Sequence, residues 1–314
     1  MFKRLPSLLG SLLAIVVVGC EDSDSTSDST SDSTSDSTSD STPQARSMKL
    51  FFNAEHIGPS GPGTPHINIR SATSTDGVNF ALDPETWLTS ETLADAVVLR
   101  GASGRWLIAG FSPPDGIALA YHDGSPDFTA ATLTDVLPSG QVPGLLEVSG
   151  GYRLYYLGDG GIRSAFSSDG ASWVQDAGLR VPIPGGPIAL VADPAPARRK
   201  DGTVVLYLKA AGLPSANPSP YDHMLYRATS ADGLSFTFEN TMLIDHASVP
   251  QAYADATGRV WVYYLDFTHF PASREVIAAA YEQDDLTLST PAVIHFDQLP
   301  PSSWANDPTP VLMP

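Results

Sequence analysis

The sequence predicts an all-β fold, a five-bladed β-propeller closed by its C-terminal strand, and three observations predict it. Apolar and aromatic runs of four to six residues alternate with Gly, Pro, Asp and Ser turns, the mark of many short strands. A four-strand pattern of roughly fifty residues recurs five times, and radial repetition of such a unit is how a propeller is built. The last residues supply the one strand that the first copy lacks.

The most regular element of the unit is a Leu/Ile-x-x-Ala strand at residues 69–72, 117–120, 162–165, 225–228 and 277–280. Three copies run into Ser74-Thr75-Asp76-Gly77, Ser167-Ser168-Asp169-Gly170 and Ser230-Ala231-Asp232-Gly233, and an aromatic follows three residues past each glycine: Phe80, Trp173 and Phe236. The second copy is degenerate at Tyr121-His122-Asp123-Gly124, and the fifth has lost the glycine. In such turns Asp bonds nearby backbone N–H groups and Gly supplies φ > 0. Asp76, Asp169 and Asp232 are therefore expected to be structural.

An aromatic strand precedes each of these, at residues 50–52, 106–108, 152–156, 205–208 and 261–264. In four copies a tight turn leads into it, and a further apolar strand lies before the turn, at 96–99, 145–148, 195–197 and 249–253. The first copy begins without that innermost strand. Asp307-Pro308-Thr309-Pro310-Val311 matches Asp193-Pro194-Ala195-Pro196-Ala197, so the C-terminus is expected to complete the first blade and close the ring. Closure removes long unpaired sheet edges. A β-sandwich would explain neither the five copies nor this match.

The first residues carry other signals. Lys3 and Arg4 precede a nearly unbroken apolar run over residues 8–18 that ends in Val17-Val18-Gly19-Cys20. The run is too short to span a bilayer and reads as a targeting segment. Its end resembles a bacterial lipobox, which implies acylation of Cys20 as the mature N-terminus and a place in the cell envelope, lipid-anchored. Cys20 is the chain's single cysteine, so no intrachain disulfide holds the fold. Residues 21–42 repeat Ser, Thr and Asp with no apolar side chain and seven carboxylates. Such a segment cannot bury surface to offset the entropy of ordering. The expected organisation is a signal peptide at 1–19, a lipidated cysteine and extended tether at 20–47, and the propeller at 48–314.

The formal charge of −18 excludes nucleic acid, which needs a basic footprint, and adsorption to an anionic membrane; membrane association is expected through the lipid alone. The seven histidines show no paired metal-ligand spacing. No metal or cofactor is expected, and the domain is expected to be a monomer.

The topology sends the tight turns to one face and the longer connections to the other. The starts of the innermost strands face the long loops around the central channel, and they carry Asp95, Gln141, Asp193, His246 or Ser248, and Asp307. Carboxylates converging in a water-poor funnel raise one another's pKa, which suits acid/base work. The plainer alternative is that Asp193 and Asp307, both before proline, cap the beginnings of strands. Glu55, Asp115, Asp159, Asp266 and the aromatics Tyr221, Phe267 and Phe270 belong to the loops of the same face. The aromatics suit either stacking on sugar rings or packing.

The aspartate-headed inner strand, the glycine hairpin, the Tyr-rich second strand and the Ser-x-Asp-Gly-x-x-Trp turn resemble the five-bladed glycoside hydrolases, families 43 and 32 in particular. The residues that carry the likeness include Asp193-Pro194 with Asp201-Gly202 and Tyr207, Asp307-Pro308, and Ser168-Asp169-Gly170 with Trp173. The resemblance implies an Asp base at Asp307 and a tuning Asp at Asp95. The acid it requires falls at Gln141, which cannot donate a proton, so the likeness breaks there. Glu147 lies too far into its strand to take over, while Glu55, Asp115, Asp159 or Asp266 are possible substitutes. Sialidases share similar turns but have six blades and an arginine cluster that this chain does not show.

Two functions follow as expectations. The first is a surface lipoprotein acting on a neutral glycan, as an inverting glycosidase with Asp307, Asp95 and Asp193 in catalysis and Gln141, His246, Glu55, Asp266 and Tyr221 against the substrate. The alternative is a non-catalytic propeller, binding glycan or protein, that has lost the general acid. A purely structural envelope protein is a third.

Overall fold

The computed structural model describes residues 47–56, 67–114, 116–212, 222–270, 272, 275–299 and 303–314. Residues 1–46, on which the targeting, lipidation and most of the tether readings fall, lie outside them, Cys20 included, as do Asp115 and Tyr221.

The described residues form five sheets, antiparallel but for one edge pairing in the first, and no α-helix. Blade one holds β1 (Met48–His56), β2 (Ile67–Ser74) and β3 (Asn79–Ser90). Blade two is β4 (Ala94–Arg100), β5 (Arg105–Phe111), β6 (Ile117–Asp123) and β7 (Thr134–Leu137). Blade three is β8 (Gln141–Val148), β9 (Gly151–Gly158) and β10 (Gly161–Ser167), edged by β11 (Val174–Gln175) and β12 (Val181–Pro182). Blade four is β13 (Ile188–Arg198), β14 (Val204–Gly212), β15 (His223–Ser230) and β16 (Thr237–Asp245). Blade five is β17 (Ala247–Ala254), β18 (Val260–Asp266), β19 (Val276–Tyr281) and β20 (Ala292–Val293). The chain then returns to blade one with β21 (His295–Asp297) and β22 (Ser303–Leu312).

The ring closes as the sequence implies: β22 pairs antiparallel with β1, Leu50 opposite Pro310. The C-terminal segment also does something the sequence does not announce. β21 pairs parallel with β3 on the outer edge of the same blade, Phe296 opposite Phe80. Blade one is thus held at both edges by the last twenty residues or so.

The core is divided among the five junctions between blades, with one buried cluster at each. Side chains alternate across a strand, and β1 shows the result: Leu50 and Phe52 pack toward blade five beside Tyr263, while Phe51 packs toward blade two beside Trp106. The turns cross-link these junctions. Asp76 Oδ1 accepts the N–H of Val78 and Asn79, each at 2.8 Å. Asp169 and Asp232 do the same for Ala171 and Ser172 and for Leu234 and Ser235, so the three aspartates are structural, as the turn chemistry requires. The carbonyl of the turn glycine then accepts from a tyrosine of the preceding blade: Tyr155 Oη to Gly233 at 2.9 Å and Tyr263 Oη to Gly77 at 2.7 Å. In blade five, where the glycine is lost, the buried Glu282 replaces that carbonyl. It accepts from Tyr207 Oη at 2.8 Å and pairs with Arg199 and Arg227.

Candidate functional site

Each innermost strand carries a two-residue bulge at an equivalent place. Two residues fall out of the ladder between Ala94 and Val97, Gln141 and Gly144, Ala192 and Ala195, Ser248 and Gln251, and Asn306 and Thr309. The first residue of each bulge has a left-handed backbone: Asp95 at φ 48°, Val142 at 45°, Asp193 at 49°, Val249 at 47° and Asp307 at 49°. In four of the five the second is proline: Pro143, Pro194, Pro250 and Pro308. Proline suits the place because it has no N–H to leave unpaired when the ladder is broken.

These five residues ring the axis and line one cavity of about 10 Å³, together with Gln251 and their immediate neighbours. That volume accommodates roughly one water. Asp307, Asp95 and Asp193 therefore meet in one place, supplied by blades one, two and four, with Val142 and Val249 between them. Asp193 and Asp307 sit within bulges inside their strands, so neither caps the beginning of a strand.

The three aspartates have different surroundings. Asp193 is 4% exposed, with Oδ2 2.6 Å from Lys209 Nζ and Oδ1 buried without a hydrogen-bond partner from the protein. The contact is an ion pair, not a well-aligned hydrogen bond. Lys209 reaches it because it stands opposite Ala192 in the β13–β14 ladder. Asp95 has its carboxyl pushed up to about 6 by burial first and by the negative charge of Asp193 second, with Lys209 opposing both. Beside them His223 Nδ1 shares a hydrogen bond of 2.9 Å with the buried Ser248 Oγ. Burial and the positive charge of Lys209 drive the His223 imidazole down to about 4, which keeps it neutral at neutral pH.

The remaining candidates lie elsewhere. Gln141 stands in the ladder opposite Leu157, one residue before its bulge, so Val142 and Pro143 reach the cavity in its stead. His246 sits ahead of β17, with Nε2 3.5 Å from Asp245 Oδ2, and blade five presents Val249 and Gln251 to the cavity. Asp266 Oδ1 accepts the N–H and hydroxyl of Thr268 in a local turn. Glu55 is in β1 opposite Trp304. Phe267 and Phe270 pack edge-on at 5.8 Å against the junction of blades five and one, and so serve the core. Asp159 offers its backbone carbonyl to Arg163. Lys209 and Gln251 were not among the candidates read from the sequence. Gln251 was legible in Val249-Pro250-Gln251, which parallels Asp307-Pro308-Thr309; Lys209 carried no local signal, because only the cross-strand pairing brings it to Asp193. Among the described residues no group of three or more His, Cys, Asp or Glu is arranged to hold a metal ion.

The chain has the fold of the family 43 glycoside hydrolases. A thermostable family-43 glycoside hydrolase aligns with a TM-score of 0.55 at 14% identity, over 78% of this chain and 94% of that one. An endo-1,4-beta-xylanase from Bacteroides thetaiotaomicron aligns at 0.57 and 14% identity, over 80% and 94%. An alpha-L-arabinanase from Cellvibrio cellulosa, solved with arabinohexaose, aligns at 0.53 and 12% identity, over 76% and 94%. At these identities the likeness is one of fold. No family model matches the sequence, and no curated protein does.

Proposed function

We propose that the propeller hydrolyses a neutral glycan at the ring of Asp307, Asp95 and Asp193, with inversion, and that Cys20 anchors it at the cell envelope. One observation carries the reading: two of these carboxyl groups share a cavity yet have opposite environments. Asp193 is ion-paired to Lys209, whereas Asp95 is held near 6, so that a fraction of the molecules still carries its proton near neutral pH. A buried carboxyl group whose proton affinity is raised by burial and by a neighbouring carboxylate, in a cavity shared with other carboxyl groups, marks a candidate proton donor. Asp95 then takes the role of proton donor in place of the missing third-blade acid, and Asp307 that of the base that activates water. Inversion requires the two carboxyl groups to stand roughly 6.5–9.5 Å apart with water between them.

Two of the three neighbours are by name a xylanase and an arabinanase, which makes xylan and arabinan the first substrates to test. Reducing-end release from arabinan, xylan and fructan, with the anomeric product followed by NMR, is the assay. We expect turnover with inverted product, and Asp95→Asn and Asp307→Asn should each lower kcat by about 10²–10⁴-fold. Absence of turnover on all three polymers, with retained binding that Asp307→Asn weakens, would point to the second reading. That reading, a glycan-binding propeller without catalysis, is favoured by Val142: at the ring position of blade three an apolar side chain stands where a proton donor was required.

A further inference from the structure

The residues that follow the five bulges form a second layer around the axis. They are Val97, Gly144, Ala195, Gln251 and Thr309. Two are small, and two carry hydrogen-bonding side chains. Beyond this layer, toward the face of the tight hairpins, the innermost strands of all five blades enclose a cavity of about 220 Å³. Val97 and Gln251 line both this cavity and the aspartate cavity. The two spaces therefore meet across a single layer of side chains.

Two polar atoms beside this axis are buried without a hydrogen-bond partner from the protein. Thr309 is 5% exposed, lines the larger cavity, and its Oγ1 has no partner from the protein. On the aspartate side Asp193 Oδ1 is in the same condition. Buried polar atoms are nearly always satisfied, by protein or by ordered water. The far mouth is lined by Arg100, Glu147 and Arg198, charges that keep it hydrated. The larger cavity has room for several water molecules.

We propose that the axial cavity is a water-filled conduit that supplies the aspartate ring from the hairpin face, with Gln251 passing water between the two cavities. The supply role rests on the hydrolase reading above. In each turnover the glycosidic C–O bond breaks and a water oxygen bonds the anomeric carbon. One proton goes to the base, and the proton from the acid goes to the leaving oxygen. A glycan lying across the loop face covers the near mouth, and the aspartate cavity accommodates about one water. The next must arrive from the other end. An amide donates and accepts at once, so Gln251 can hand water on from either side.

The test uses the full chain and two readouts. A crystal structure should show ordered waters on Thr309 Oγ1 and on the Gln251 amide, joined through the axial cavity. In kinetics, Gln251→Leu, which keeps size and removes hydrogen bonding, should lower kcat about tenfold with KM within twofold. Thr309→Val should lower kcat in the same sense, and both should unfold at the wild-type temperature. A cavity without ordered water would overturn the conduit. So would an unchanged kcat in both variants, or an effect on KM alone, which would make Gln251 a substrate contact. If the wild type turns over no glycan, the hydrolase reading fails and the supply role fails with it, while crystallographic waters at Thr309 would still establish the hydrated axis.

Discussion

Asp95→Asn should make the protein more stable. Asp95 lies in a bulge of β4 with its carboxyl raised from an ordinary 3.8 to about 6. Each tenfold change in proton affinity corresponds to about 1.4 kcal/mol, so keeping this carboxylate ionised in the folded state costs about 3 kcal/mol at most. Asparagine has the same shape, carries no charge, and tolerates a left-handed backbone, so it removes the cost without adding strain. The sign with pH follows from linkage. The folded-state value lies above the unfolded one, so the folded state binds the extra proton between them. The contribution of Asp95 is favourable below about pH 4, is lost as pH rises through 6, and is constant above that. Urea unfolding of wild type and variant from pH 4 to pH 8, followed by tryptophan fluorescence, measures the difference directly. The variant should gain up to about 3 kcal/mol at pH 8 and only about 0.5 kcal/mol at pH 4. For a domain of this size, 1 kcal/mol moves Tm by about 2–4 °C, so a gain of several degrees is expected. A variant that is less stable at pH 8, or a difference that does not vary with pH, would refute the reasoning about this cavity.

The neighbouring positions should respond differently. Asp193→Asn strands the Lys209 ammonium beside a neutral amide; breaking a buried pair in this way costs about 3–5 kcal/mol, and thermal unfolding should show a loss where Asp95→Asn shows a gain. Gly144→Ala places a Cβ 1.8 Å from the carbonyl oxygen of Pro194, between blades three and four. It should cost about 3 kcal/mol by overpacking, and unchanged urea unfolding would argue against that close approach. Deleting residues 303–314 removes β22 and exposes the backbone of β1 and the inner edge of blade one; cooperative unfolding should be lost, and a transition at the wild-type midpoint would contradict ring closure.

The blades were legible because their signals are local. Ser-x-Asp-Gly specifies a turn through hydrogen bonds spanning two or three residues, and Asp76, Asp169 and Asp232 make those bonds. The phase of the ring was harder, because strand starts vary in length before the bulge. β13 begins at Ile188, five residues ahead of Asp193, whereas β8 begins at Gln141, one residue ahead of Val142. Matching the strands by their first polar residue put Gln141 and His246 beside the aspartates. Matching them by the proline in Val142-Pro143, Asp193-Pro194, Val249-Pro250 and Asp307-Pro308 puts every ring residue in place, and only Ala96 breaks the pattern. Lys209 and β21 escaped because cross-strand and parallel pairings join residues distant in sequence. Neither the Lys209–Asp193 pair nor the three-residue match of β21 to β3 has a local signature.

Val142 and Val249 also decide where the strain at the site comes from. A left-handed backbone is uncommon for any residue with a side chain and a true outlier for a β-branched one, at a cost of about 1–3 kcal/mol each. If the bulges existed for the sake of the carboxylates, the two blades that carry valine would have no reason to keep them, and relaxation to extended backbone would restore their ladders. Both blades keep the bulge at the same depth and with nearly the same φ as Asp95, Asp193 and Asp307. The bulge therefore belongs to the propeller, as the way five innermost strands bend where they enclose the axis. It bends the strand there and brings the first bulged residue to the cavity whatever that residue is. Aspartates at three of the five positions convert a feature of the scaffold into a cluster of facing carboxyl groups. The chemistry of the ring can then change by single substitutions at the other two, while the bulges that present them stay in place.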